Sequence, residues 1–214
     1  PPWSGEITTT STSSAYVGGV CGYAAVYADI SVCSATGSVM SPNQKASYMG
    51  GIAGYFYGGS STGMASLQGC INLAEVSGNG YISGIAGCVS RYANIENNLN
   101  AGNVYGKTAM VGGVIGSCAN TYVVNVNKNI NAATVISGAS VIGNFASTGN
   151  EVAPEDNYYD NQRSILEDSR ATGSTTSALV ALSLDGWTTT DGYPLPDGFS
   201  NEGAYICLKP ESVV

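Results

Sequence analysis

The chain has 214 residues and a formal net charge of −8, with 29 glycines, only 10% charged residues and 14 tyrosines against 3 phenylalanines and 2 tryptophans. Histidine is absent, which excludes His-dependent triads and the commonest zinc ligand, and the six cysteines form no CxxC pair. Residues 1–150 balance four acids with four bases, so the whole negative charge falls in 151–214; a surface this poor in Lys and Arg offers no footprint for nucleic acid or an anionic membrane.

Residues 1–14 form a Ser/Thr-rich lead-in, whose polar alternation from Thr8 to Ser14 either pairs as a capping strand or stays loose. The Pro1-Pro2 start reads as a processed boundary, and no basic-then-apolar leader precedes the repeats. No apolar run reaches the ~18 residues of a membrane helix. From Tyr16 a unit recurs: Tyr16-Val-Gly-Gly-Val-Cys-Gly22, Tyr48-Met-Gly-Gly-Ile-Ala-Gly54, Tyr81-Ile-Ser-Gly-Ile-Ala-Gly87, Met110-Val-Gly-Gly-Val-Ile-Gly116 and the worn Ser137–Gly143. Its fourth position steps by 32, 33, 29 and 27 residues, within the range of solenoid repeats. A second segment follows each of the first four copies: Ile30–Val39, Leu67–Val76, Ile95–Val104 and Val126–Val135, each aliphatic at its start and Val nine residues later. Length varies only in the links, such as 55–66, where insertions disturb a stacked coil least.

Neither segment has a 3.6-residue apolar period, and glycine at this density opposes helix. Short strands joined by turns, two or three per unit, are therefore expected. Such a unit cannot bury its apolar face alone, but stacked units share a core. The predicted architecture is all-β: a right-handed parallel β-helix of about four to five coils over residues 15–160, the hand following the crossover rule. Val20, Ile52, Ile85, Val114 and Val141 are predicted to form one interior column, and Val39, Val76, Val104 and Val135 another. Gly22, Gly54, Gly87, Gly116 and Gly143 mark corners or close approaches of coils.

The pairing of Tyr-x-Gly-Gly-Ile-x-Gly with Ile-x-x-Cys-x-Asn-x-x-x-Val, best seen in Tyr48–Gly54 and Leu67–Val76, resembles the GLUG-motif repeats of bacterial surface proteins. Similar repeats accompany IgA-protease-type enzymes and large adhesins of Bacteroides-like bacteria. Asn98 and Asn129 depart from the motif cysteine, and Ala139-Ser140 from the Gly-Gly pair. The stretch Asn157–Gln162 with Gly186-Trp187 and Gly192-Tyr193-Pro194 resembles the close of such arrays. The resemblance implies extracellular display or adhesion and supplies no catalytic residue.

Residues 161–214 lose the repeat and form an acidic capping segment, with one expected helix over 175–182 lying across the open end of the solenoid. Asp185-Gly186, Asp191-Gly192 and Asp197-Gly198 read as turns rather than a calcium loop, since the alternating ligands of such a loop are missing. Cys33 and Cys70 share a place in adjacent repeats and are expected as buried thiols, the alternative being a bridge; Cys207 is expected unpaired. Asn98 with Asn129, and Asn72 with Asn100 and Asn131, form columns that bond along the stack. Asp29, Glu75 and Glu96 occupy different positions in their units, so the facing carboxylates of a glycosidase find little support, and no cofactor is implied. Four tyrosines follow the turn glycines at similar offsets: Tyr27, Tyr57, Tyr92 and Tyr122. Along one flank they would make a ladder for an uncharged glycan, or simply cover the shoulders of the core. The expected function is a non-catalytic, secreted or cell-surface domain, monomeric when isolated, that binds a glycan or a surface protein. The alternatives are a polysaccharide-acting enzyme and an inert spacer.

Overall fold

In the computed structural model the described residues are 5–9, 11–42, 45–108, 110–119, 122–146 and 154–199. They form a parallel β-solenoid of about five turns, with one five-residue helix and one antiparallel hairpin outside the stack. Each coil visits five short sheets in turn. Sheet I contains Tyr16–Gly18, Ser47–Gly50, Gly80–Ser83 and Val111–Gly112. Sheet II contains Cys21–Ala24, Ala53–Tyr57, Ala86–Ser90, Ile115–Ala119 and Ile142–Ala146. Sheet III contains Asp29–Ser31, Ala65–Gln68, Ala93–Glu96 and Val124–Asn127. Sheet IV runs through Ser34–Ala35, Ile71–Asn72, Leu99–Asn100, Ile130–Asn131, Tyr158–Asp160 and Thr172–Ser174. Sheet V holds Gly5–Thr8, Gly37–Met40, Glu75–Ser77, Val104–Tyr105 and Val135–Ile136. The lead-in thus contributes its strand at Gly5–Thr8, ahead of the stretch whose polar alternation drew attention.

Five strands per coil, rather than two or three, arise because the second repeat segment bends twice. Between sheets III and IV one residue per coil takes the left-handed conformation: Val32, Gly69, Asn97, Lys128 and Asp156, with φ of 51°, 61°, 55°, 55° and 52°. Gly, Asn and Asp accept that region readily, whereas β-branched Val32 is strained there. Between sheets IV and V the Asn72 side chain ties the second bend, donating to Ala74 O at 2.9 Å and accepting from Ala74 N at 3.0 Å.

The interior column of Ile52, Ile85, Val114 and Val141 is fully buried, as is Val76 with Val104, while Val39 and Val135 are nearly so. Val20 departs: it is 44% exposed, lying in the first coil, beyond which no further strand of sheets I and II stands among the described residues. The asparagine columns are ladders inside the wall of the stack. Asn72 donates to Asn100 and Asn100 to Asn131, both at 2.8 Å. A second ladder runs Asn98 to Asn129 to Asn157, each rung 3.0 Å, and the same carboxamide oxygens also accept the backbone N–H of Cys70, Asn98 and Asn129. These amides explain a glycine column. A Cβ on Gly84 would stand 2.1 Å from the Asn100 side chain, and Gly51 and Gly113 face Asn72 and Asn131 likewise. The terminal motif glycines serve close approach of coils, a Cβ on Gly87 falling 2.5 Å from Met49 N.

Because Asn72, Asn100 and Asn131 point inward, strand alternation turns Ile71, Leu99 and Ile130 outward. This decides where the C-terminal segment goes. Residues 164–171 seal the last coil: Leu166 and Ala171 pack against the main core, and the Asp168 carboxylate accepts the N–H of Val141 at 3.1 Å and of Ile142 at 2.7 Å. The helix Thr176–Val180, N-capped by Thr175, does not cover that end. Its Leu179 joins Trp187, Tyr193 and Leu195 over Ile71, Leu99 and Ile130, on the outer side of sheet IV. From there the chain runs back along the stack as a strap. Lys128 pairs with Asp185 at 3.2 Å, Trp187 Nε1 donates to Asn97 Oδ1 at 3.1 Å, and Gly198 lies against Val32 in the first coil. The buried Asp160 carboxylate anchors its start, accepting 2.6 Å bonds from Thr176 Oγ1 and Tyr193 Oη. Gly186 and Gly198 adopt positive φ in the strap's turns, and Asp197 accepts from Thr188 Oγ1.

Candidate functional site

The outer side of sheets I and II is paved with tyrosine. Alternation within each strand puts one residue in two outside, and identical register between coils lines those residues up. Tyr16, Tyr48 and Tyr81 are register partners on sheet I, with ring centroids 5.0 and 4.5 Å apart and interplanar angles of 25° and 7°. On sheet II, Tyr23 pairs with Tyr55 at 5.5 Å and 11°, and Tyr57, two residues further along the same strand, lies 6.3 Å from Tyr55. The two columns interlock edge to face: Tyr16 meets Tyr23 at 68°, and Tyr48 meets Tyr55 at 76°. Contacts of these kinds contribute about 0.5–1.5 kcal/mol each beyond their buried area.

The sheet extends to the next corner through a cation. The Arg91 guanidinium lies 4.6 Å from the Tyr57 centroid and 5.7 Å from that of Tyr122, and Tyr122 lies 5.3 Å from Tyr92. Of the four tyrosines singled out by sequence, Tyr57, Tyr92 and Tyr122 therefore belong to one continuous surface. Tyr27 stands in the first-coil link, 61% exposed, donating to Ser60 Oγ at 3.1 Å. They do not form a single row, because Tyr27 sits in a link whereas Tyr57 sits at the end of the strand Ala53–Tyr57. Tyr16, Tyr23, Tyr48, Tyr55 and Tyr81 were missed as candidates. The signal was present in the repeated first position of the motif, which marked the repeat without revealing which way the ring points.

Burial, reinforced by neighbouring ring hydroxyls, raises the Tyr48 hydroxyl above its ordinary value. Burial also raises Tyr55, against a lowering bond to Ser90. Both rings are neutral phenols at physiological pH. The surface thus offers π faces, edges and hydroxyls, with Arg91 as the charge in ring contact. Asp29 and Glu96 lie on sheet III at different register positions, and Glu75 lies on sheet V. Among the described residues no cluster of three or more Asp, Glu or Cys could hold a metal ion, and no helix is long and apolar enough to cross a membrane. Cys33 and Cys70 carry free thiols in adjacent coils, Cys70 buried and its thiol pushed up to about 12 by that burial. Cys207 lies outside the described residues.

No family model matches this sequence, and no curated protein does. Among solved structures the chain is similar to one described as a putative immunoglobulin A1 protease from Bacteroides ovatus, with a TM-score of 0.54 and 16% identity over 91% of this chain and 74% of that one. At that identity the likeness is one of fold: the chain shares its solenoid architecture with a Bacteroides protein.

Proposed function

We propose that this chain is a non-catalytic, extracellular repeat domain of a bacterial surface protein, of the GLUG-like class, and that it binds an uncharged glycan on its tyrosine face. The observation that carries the reading is the continuous outward array on sheets I and II, linked through Arg91 to Tyr92 and Tyr122. Sugars stack their C–H faces on aromatic rings and hydrogen-bond to phenol hydroxyls, and a surface almost free of charge suits a neutral chain better than a polyanion. The motif resemblance supports extracellular display. The wild-type chain on a glycan array should retain at least one neutral glycan, and Tyr48→Ser with Tyr81→Ser should abolish that retention while the melting temperature moves by only a few degrees. Retention by the double variant, or none by the wild type, overturns the binding claim. Cleavage of immunoglobulin A1 by the purified chain overturns the non-catalytic one.

A further inference from the structure

The column that holds Asn98, Asn129 and Asn157 begins with Cys33 and Cys70, each residue directly preceding a register partner on sheet IV. Its side chains share a direction as well as a place. Asn98 Nδ2 donates to Leu67 O, Asn129 Nδ2 to Ile95 O and Asn157 Nδ2 to Val126 O, each one coil back and three positions before the column neighbour. Cys70 Sγ reaches the equivalent carbonyl, Ile30 O, at 3.9 Å. The Cys33 thiol lies 3.3 Å from Ser31 O and the Cys70 thiol 3.4 Å from Gln68 O, so both sulfurs take one orientation, and they stand within hydrogen-bonding reach of each other. From Asn98 onward the column ties coil to coil through carboxamides, and Asn98 Oδ1 still accepts Cys70 N at 3.0 Å. Between Cys70 and Cys33 there is no carboxamide to make the rung, and a thiol donates and accepts only weakly.

We propose that Cys33 and Cys70 are an oxidation site, at which a low-molecular-weight disulfide converts the two thiols into a covalent rung between adjacent coils. Neighbouring strands stand about 4.8 Å apart, inside the roughly 4.4–6.8 Å Cα range that a disulfide spans. The bond from Ile71 N to Cys33 O, 2.9 Å, holds the two coils together at this point. Cys33 is half-buried and Cys70 buried, so the reagent meets Cys33 first. The Cys33 thiolate attacks one sulfur of the reagent, whose S–S bond breaks and expels a small thiolate. The Cys70 thiolate then attacks Cys33 Sγ, forming the Cys33–Cys70 bond and expelling the second small thiolate. Two electrons pass from the cysteines to the reagent, and the two cysteine protons end on the two released thiols. Burial holds the Cys70 thiol up at about 12, which makes the second step the slow one near neutral pH. The pair sits at the bend between sheets III and IV and the tyrosine face on sheets I and II, so cross-linking and glycan retention succeed or fail separately.

Incubating the folded full chain with glutathione disulfide, alkylating the remaining thiols and digesting with trypsin tests this, because cleavage after Lys45 puts Cys33 and Cys70 on separate peptides. Fragment ions should join 1–45 to 46–91 through Cys33 and Cys70, and dithiothreitol should separate them again. The melting temperature of the oxidised chain should exceed that of the reduced one by roughly 5–10 °C. Ring closure should quicken about tenfold per pH unit between ~7 and ~9, as the Cys70 thiolate fraction grows. Cys21→Ser, on the same tryptic peptide as Cys33, should cross-link like the wild type, whereas Cys33→Ser should leave Cys70 unlinked and its melt indifferent to the reagent. Mapping the wild type needs no substitution, so the test stands even where a variant folds poorly. Thiols that survive the reagent at both positions, a glutathione adduct that persists on Cys33, or a link between the two peptides through other cysteines would overturn the proposal.

Discussion

Two outer flanks of the solenoid carry columns of large apolar side chains, and the molecule treats them differently. On sheet IV the column is aliphatic, Ile71, Leu99 and Ile130, and the C-terminal strap buries it completely. On sheets I and II it is tyrosine, and nothing among the described residues covers it: Tyr16 is 50% exposed and Tyr23 47%. An aliphatic column has no means of satisfying water and must be covered, whereas a phenol keeps its hydroxyl hydrated while its ring packs on the next. The difference separates covered from solvent-facing apolar surface. The strapped flank spends its hydrophobic free energy on holding coils together, and the bare flank keeps its rings available.

The comparison can be broken most severely from inside. Ile85→Asp places an unpaired charge at a fully buried position of the main core, costs several kcal/mol, and should abolish the cooperative thermal transition seen by circular dichroism. Trp187→Ala removes the strap's buried ring and its bond to Asn97, and should cost about 3 kcal/mol. Limited proteolysis within 175–199 should accelerate, and exchange protection should fall at Leu99 and Ile130, while the tyrosine flank keeps its fluorescence. Tyr48→Ser on the bare flank should cost only about 1 kcal/mol, measured by urea titration, because its stacking partners stay half solvated. The effect that is smallest near neutral pH sharpens the contrast through its alkaline onset. The folded Cys70 thiol titrates at about 12 against an ordinary 9.0, so the folded state holds its proton longer than the unfolded one. Its contribution is complete below pH 9.0 and drains away as pH rises from there toward about 12. Tyr48 and Tyr55, also raised, add a decline of the same sign above 10.0. Cys70→Ala should flatten the early part of that alkaline decline, read as urea midpoints at successive pH values.

Much of this was legible because a solenoid writes its register into the chain. Val76 pairs with Val104 and Val104 with Val135, as the nine-residue spacing requires. The asparagine columns were equally readable, since the same residue at the same place in successive coils can bond only along the stack. The tyrosine face was half legible. Tyr92 and Tyr122 could be placed near one another by their offsets, but Tyr48 and Tyr81 looked like motif punctuation, because repetition gives position along the chain and not direction from it.

The sequence by itself determined the repeat, the all-β parallel stack, the aliphatic columns and the asparagine ladders, since each depends only on local spacing repeated at one interval. Tertiary structure decided the rest. The inward turn of Asn72, Asn100 and Asn131 everts Ile71, Leu99 and Ile130, and that everted column draws the helix and strap to the flank instead of the end. Which side an apolar residue faces, and what comes to cover it, follows from which neighbour satisfies the buried amides, and that is fixed only when the coils are stacked.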